Sequence, residues 1–236
     1  MKTVIIAAGI GSRLGSHTAQ VPKTLLPFGQ GTILSQIMSN FTTIGVSEFI
    51  IVVGFGAQQI VEYIATAGLG ARVTFVENRD WQRGNGLSVH LVRGVTGVGT
   101  FLLSMSDHLV APPALAHLMA ARSDHNLLLV DPRVDGVFDL PDATKVMLEG
   151  TRITGIGKEL VDFNAIDCGV FRLDERFFEA MGCAICQGQE SISEGVHHLI
   201  QARTFEGVLL PEGSHWIDID TPEAYEYALA HRRWYV

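Results

Sequence analysis

Thr3-Val4-Ile5-Ile6-Ala7-Ala8-Gly9-Ile10-Gly11-Ser12-Arg13-Leu14-Gly15 is the stretch that decides the fold. Its first half is a short apolar run without polar alternation, the pattern of a strand covered on both faces. The run then empties into glycines, where a sheet strand's carboxyl end lets backbone N–H groups approach a phosphate closely. A Walker loop would end in Gly-Lys-Ser/Thr, and no Gly-Lys follows here. A dinucleotide turn would carry its third glycine where Leu14 stands, with a long helix straight after and an acid ending the second strand. Ser16–Val21 shows little helical period before Pro22, and the second strand ends Val52-Val53-Gly54-Phe55. What remains is a long phosphate-wrapping loop closed by Pro22-Lys23.

Outward from this turn, apolar β-rich runs alternate with helical patterns. Strands are expected at Thr3–Ala8, Glu48–Val53, Ala71–Glu77, Thr100–Ser104 and Asn126–Asp131. Helices are expected at Ile33–Thr43, Gln58–Ala67, Gly84–Gly94 and Pro113–Ala121. This alternation predicts an α/β fold: a Rossmann-like, doubly wound, mostly parallel sheet. Thr144–Leu148, Arg152–Ile156 and Cys168–Leu173 then read as strands without intervening helices, so a mixed extension of the sheet is expected. Helices follow near Asp174–Met181 and Ser193–Ala202. A last helix starts with Thr221 as N-cap and Pro222 in the first helical position. No repeat or linker interrupts the chain, so 1–236 is read as one domain.

Composition narrows the classes. The 236 residues are 47% apolar and 18% charged, with 25 glycines, which excludes disorder, collagen and coiled coil. A net charge of −8 argues against a general nucleic-acid binder but not against small anions, which feel a local pocket. The opening apolar run is too short for a signal-peptide core or a membrane span. Three cysteines in a chain of this length suggest a reduced, cytoplasmic protein. Cys183 and Cys186 have metal-like spacing but no second pair, and His197-His198 reads as surface.

Ala7-Ala8-Gly9-Ile10-Gly11-Ser12-Arg13-Leu14, followed by Pro22-Lys23-Thr24-Leu25-Leu26-Pro27, resembles the signature of the sugar-phosphate and MobA-like nucleotidyltransferases. These enzymes have a GT-A-like fold and activate phosphorylated sugars and alcohols. The resemblance implies that Ala8, Gly9, Gly11, Ser12 and Arg13 embrace a nucleoside triphosphate. It also implies that Lys23 contacts the transferred phosphate. Gly84, Asn85 and Ser88 sit where the family reads base and ribose, with Ser106 beside them in the nucleotide site. Thr144-Lys145, Gly157-Lys158-Glu159-Leu160, Asp162-Phe163 and Ile166-Asp167-Cys168-Gly169 resemble the acceptor half of inositol-1-phosphate cytidylyltransferases. That likeness puts Lys158 on the acceptor phosphate and Lys145 nearby, and it implies a nucleotide-binding half at 1–131 and an acceptor-binding half with the C-terminal helix at 132–236. Two positions depart from the pattern: Ser106 stands in place of glycine and Leu87 in place of tyrosine.

Asp107 follows the fourth strand, on the edge that carries the glycine loop in a parallel sheet. A carboxylate there suits Mg²⁺ held against phosphates. Trp216-Ile217-Asp218-Ile219-Asp220-Thr221 reads as a strand whose alternation turns Asp218 and Asp220 to one face, completing a hard oxygen site with Asp107. The expected reaction is Mg²⁺-dependent transfer of CMP from CTP to inositol-1-phosphate, with Arg13, Lys23 and Asp107 as catalytic residues. The Gly84 carbonyl and the Asn85 amide oxygen are expected to accept from the cytosine amino group. Phosphocholine, a phosphonate or a sugar-1-phosphate are the alternative acceptors, and a non-catalytic nucleotide sensor is the alternative class. The scarcity of aromatics disfavours a cage for phosphocholine. No nucleic-acid partner and no membrane segment are expected; a homodimer is compatible with the sequence, and a separate transferase is expected to use the product.

Overall fold

A computed structural model describes residues 1–11, 13–14 and 21–236. The opening run forms β1 (Thr3–Ala7), every residue of it buried. Val4 and Ile6 point into one core, Ile5 and Ala7 into another, so an uninterrupted apolar run is what a central strand needs. A two-residue pair, β2 (Pro27–Phe28) and β3 (Gly31–Thr32), leads into α1 (Ile33–Thr43). Thr32 and Ser35 cap that helix reciprocally. There follow β4 (Glu48–Val53), α2 (Ala57–Thr66), β5 (Arg72–Glu77), α3 (Asn85–His90), α4 (Arg93–Thr96), β6 (Phe101–Met105), β7 (His108–Val110), α5 (Pro112–Ala120) and β8 (Asn126–Asp131). The second half adds β9 (Lys145–Glu149), β10 (Arg152–Gly157), β11 (Ala165–Leu173), α6 (Glu175–Cys186), α7 (Ile192–Gln201), β12 (Phe205–Leu209), β13 (Trp216–Asp218) and α8 (Pro222–Ala230).

Among the described residues, nine strands form one sheet in the order β5-β4-β1-β6-β11-β8-β12-β10-β9, and β9 also pairs with β11. β5, β4, β1 and β6 run parallel, the doubly wound half. β11 enters antiparallel between β6 and β8, and β12 lies parallel to β8. The α/β class with a mixed extension is as the sequence implies. Side chains of α1, α5 and α8 cover one face, and those of α6 and α7 the other. Among the described residues, no helix is long and apolar enough to cross a membrane. All three cysteines are free.

Three expectations are corrected. The helix expected at Gly84–Gly94 is two helices, because the chain tightens at its middle: Val92 N–H donates to Val89 O, three residues back. The strand expected at Trp216–Thr221 stops at Asp218, because its partner β7 starts at His108, directly opposite. β11 starts at Ala165 rather than Cys168, continuing through a register shift between Asp167 and Phe171.

Candidate active site

The carboxyl ends of β1, β6 and β8 and the amino-terminal half of the antiparallel β11 open onto a cleft of about 580 Å³. Gly9, Gly11, Arg13, Lys23, Asp107, His108, Asp142, Lys158, Asp218 and Asp220 all line it. Ser12 lies outside the described residues. Gly11 has φ +66°, and a Cβ there would stand 2.6 Å from Lys23 Cβ, so only glycine lets the Lys23 stem pass.

Lys23 begins a 3₁₀ turn after Pro22, and its side chain is buried. Its ammonium lies 2.8 Å from Asp107 Oδ2 and also bonds Asp220. Burial alone favours the neutral amine. Asp107, Asp218 and Asp220 outweigh it and hold Lys23 protonated well beyond the ordinary lysine range. Burial likewise opposes ionisation of Asp107, but Lys23 and His108 keep it far below the usual carboxylate range.

β7 and β13 bring the rest together. Asp218 pairs with His108 across the two strands, and Ile219 N–H bonds Asp107 O just beyond. His108 Nδ1 lies 2.8 Å from Asp107 Oδ1 and 3.7 Å from Asp218 Oδ1. The imidazole ring stacks on Trp216 at 5.8 Å and sits over Gly169, where a Cβ would come within 2.3 Å of it. Burial lowers the affinity of His108 for a proton, but Asp218 and Asp107 more than reverse this, raising its pKa to about 9. Asp218 is pushed up to about 7, by burial first and by Asp107 and Asp220 as further like charges.

A divalent cation fits this set. Asp218 Oδ1 is buried without a hydrogen-bond partner, and one ligand atom each of Asp107, His108 and Asp218 lies within 4.8 Å of the others. Carboxylate oxygens suit Mg²⁺ and leave its remaining positions to water or phosphate. Asp220 is placed differently from the expectation. It lies beyond the strand, and its carboxylate is shared by Arg13 and Lys23.

The remaining predicted residues divide. Lys158 lines the cleft, its ammonium 2.8 Å from both Asp142 oxygens. Arg13 also bonds Asp142, so one carboxylate joins two cations that come from distant parts of the chain. Lys145 is buried, and its ammonium donates to the carbonyls of Pro141 (2.8 Å) and Lys158 (2.6 Å), bracing the cleft wall from behind. Ser106 lines the cleft. Ala8 is buried, its carbonyl accepting from Phe55 N–H. Ser88 is buried and accepts from the Asn78 amide.

The acceptors expected for a cytosine amino group each take one hydrogen bond within the protein, which leaves each a second lone pair. Gly84 O accepts from Leu87 N–H, and Asn85 Oδ1 from Ile192 N–H at 2.9 Å. Asn85 lines the cleft with its amide oxygen held by that bond, and its Nδ2 donor would match a ring carbonyl common to cytosine and uracil. Sequence reading missed Asp142, Asp131 and Arg133 as cleft residues. An Asp-Pro-Arg ending a strand on the glycine-loop edge was the available signal.

The sequence matches the model of the MobA-like NTP transferase domain over residues 3–208. It is 31% identical over 230 residues to the "Bifunctional IPC transferase and DIPP synthase" of Thermococcus kodakarensis, covering 96% of this chain and 49% of that one. The protein of the same name from Aquifex aeolicus is also 31% identical, with 95% and 50% covered. The chain spans about half the length of these curated relatives. Among solved structures, the inositol-1-phosphate CTP transferase from T. maritima superposes with a TM-score of 0.87 at 26% identity. That match covers 97% of this chain and 94% of that one.

Proposed function

Because the chain belongs to the MobA-like NTP transferase family, we propose that it transfers CMP from CTP to inositol-1-phosphate, giving CDP-inositol and pyrophosphate. The acceptor rests on the relatives named above. The observation that carries the chemistry is the buried Lys23 ammonium among Asp107, Asp218 and Asp220, facing Lys158 across one cleft. Residues 1–236 act as one domain in this reading, with the nucleotide on the 1–131 side and the acceptor on the other.

A phosphate oxygen of the acceptor attacks the α-phosphorus of CTP in line. A new P–O bond forms as the bond to the β-phosphate breaks, and pyrophosphate leaves with the electron pair. The nucleophile is already anionic near neutral pH, so no general base is needed. The protein's work is positioning and charge neutralisation. Arg13 and Lys23 meet the triphosphate, Lys158 meets the acceptor phosphate, and Asn85 Nδ2 meets the base carbonyl. Asp107 and Asp218 would hold Mg²⁺, which supplies charge neutralisation beside the phosphates. His108 orients Asp107 through its Nδ1 contact.

Phosphocholine has one observation in its favour. The fold brings Phe138, Trp216, Tyr227 and Trp234 to the cleft, although aromatics are sparse in the sequence. These rings cover one another, Phe138 on Tyr227 at 4.6 Å and His215 on Trp234 at 4.6 Å, which leaves fewer open faces for a quaternary ammonium. Pyrophosphate release from CTP, UTP, ATP and GTP, each with inositol-1-phosphate, phosphocholine or glucose-1-phosphate, tests the proposal. Highest kcat/KM for CTP with inositol-1-phosphate supports it. A sugar-1-phosphate or phosphocholine turned over in preference refutes the acceptor.

A further inference from the structure

Arg133 lies at the end of β8 and is unused by the chemistry above. Its guanidinium is held in a rigid fork: Nε donates to Asp131 Oδ1 at 2.9 Å, and Nη2 donates to Asp131 Oδ2 and Ser214 O at 3.0 Å each. The Asp131 side chain is only 6% exposed while that of Arg133 is 49% exposed, so the carboxylate is the buried anchor and the arginine the presented group. Burial disfavours the charged form of Asp131, but hydrogen bonds from Arg133 and Trp216 keep it ionised. No protein partner engages Nη1 among the described residues, and the side chain lines the cleft. Asp131 Oδ2 also accepts from Trp216 Nε1 at 2.8 Å, so one buried carboxylate sets an aromatic face and a donor edge side by side. His215, neutral through burial and the nearby Arg133 charge, completes this wall.

Sheet register places the wall relative to Lys158. Ile166 of β11 pairs with Asp131 on one side and Lys145 on the other, and Lys145 in turn pairs with Gly157, just before Lys158. Arg133 follows β8 and Lys158 follows β10, with β11 and β9 between these strands, and Asp167 of β11 lines the same cleft. Three strand spacings, about 14 Å, separate their strands along this path, more than a lone phosphate reaches. The Arg133 charge is already matched by Asp131, so the fork acts as a directed donor rather than a site for a second phosphate.

We propose that Arg133 selects the acceptor: Nη1 donates to ring hydroxyl oxygens of a cyclic polyol phosphate whose phosphate lies on Lys158. Asp131 is the positioning residue that aims it, and Trp216 covers the ring's C–H face. This rests on the inositol phosphate reading given above, and goes beyond it by naming the residue that reads the ring.

Steady-state kinetics with inositol-1-phosphate and its monodeoxy analogues test it. In Arg133→Gln, KM for inositol-1-phosphate should rise by about 10- to 100-fold, the range for a hydrogen bond to a charged group, while KM for CTP stays as in wild type. In wild type, at least one deoxy analogue should show a similar loss, and Arg133→Gln should treat that analogue and the parent alike. Arg133→Lys keeps the charge without the fork and should remain impaired. Asp131→Asn should raise the same KM without affecting CTP. An unchanged acceptor KM in Arg133→Gln, an equal rise for CTP, an undiminished deoxy penalty, or full rescue by lysine each overturns the proposal. Should wild type itself fail to turn over inositol-1-phosphate, the acceptor reading falls, and this proposal with it. Normal wild-type turnover with an unaffected Arg133→Gln removes this proposal alone.

Discussion

Gly169→Ala changes one methyl group and should separate stability from activity. Gly169 has φ +74°, where an L-residue pays about 1–2 kcal/mol. In a chain of this size that is a fall in Tm of roughly 2–8 °C. The new Cβ would also lie 2.3 Å from His108 Cδ2 and 2.5 Å from Cγ. Ordinary contact begins at 3.4 Å, so the ring must retreat by about 1 Å. It cannot do so alone, because Nδ1 is bonded to Asp107 at 2.8 Å and the ring is stacked on Trp216. The displacement therefore passes to Asp107, which faces Lys23. A misplacement of about 1 Å at a reacting centre costs on the order of 10²-fold in rate. Pyrophosphate release should fall by about that factor in a protein that melts only a few degrees early. His108→Ala with Gly169→Ala removes the clash and should recover part of the Tm loss. Wild-type kcat in Gly169→Ala would refute the reasoning that His108 transmits position to Asp107.

Three further outcomes are expected. Lys23→Ala removes a preorganised cation and should lower kcat by about 10²- to 10³-fold; a change confined to KM would contradict a transition-state role. Asp142→Asn releases Arg13 and Lys158 from a shared, partly exposed carboxylate, so calorimetry should find tighter pyrophosphate binding with little change in Tm; weaker binding would show that Asp142 organises the cations rather than competing for them. The folded-state pKa of Asp131 lies below its unfolded value, so its contribution to stability is present above about pH 4 and fades as pH falls through the lower folded value. In denaturant unfolding, Asp131→Asn should cost most near neutrality and least in strong acid, and a constant cost across pH would contradict the ion pair as its source.

Elements whose cause is local were legible. Glu48–Val53 and Asn126–Asp131 are apolar runs with both faces covered, and Ile33–Thr43 has a helical period behind a capping threonine. β7, three residues long, was not legible, because it is held by β13, more than a hundred residues later in the chain. The same distinction holds in the site. Gly11, Lys23, Asp107 and Asp218 stand at strand ends or in a loop of recognisable composition. Asp142 acquires meaning only by meeting Arg13, 129 residues away, and Arg133 only through Asp131, Trp216 and Ser214. Asn85 was visible, but the direction of its amide is set by Ile192 N–H, which no local pattern announces.

The central claim is that an acceptor phosphate oxygen attacks the α-phosphorus of CTP. It is tested most directly with inositol-1-phosphate carrying ¹⁸O in its non-bridging phosphate oxygens, following the products by ³¹P NMR and mass spectrometry. The account predicts that every label stays in CDP-inositol, one of them bridging the two phosphorus atoms, and that pyrophosphate carries none. An unlabelled bridge, label in pyrophosphate, or no labelled CDP-inositol at all would contradict it.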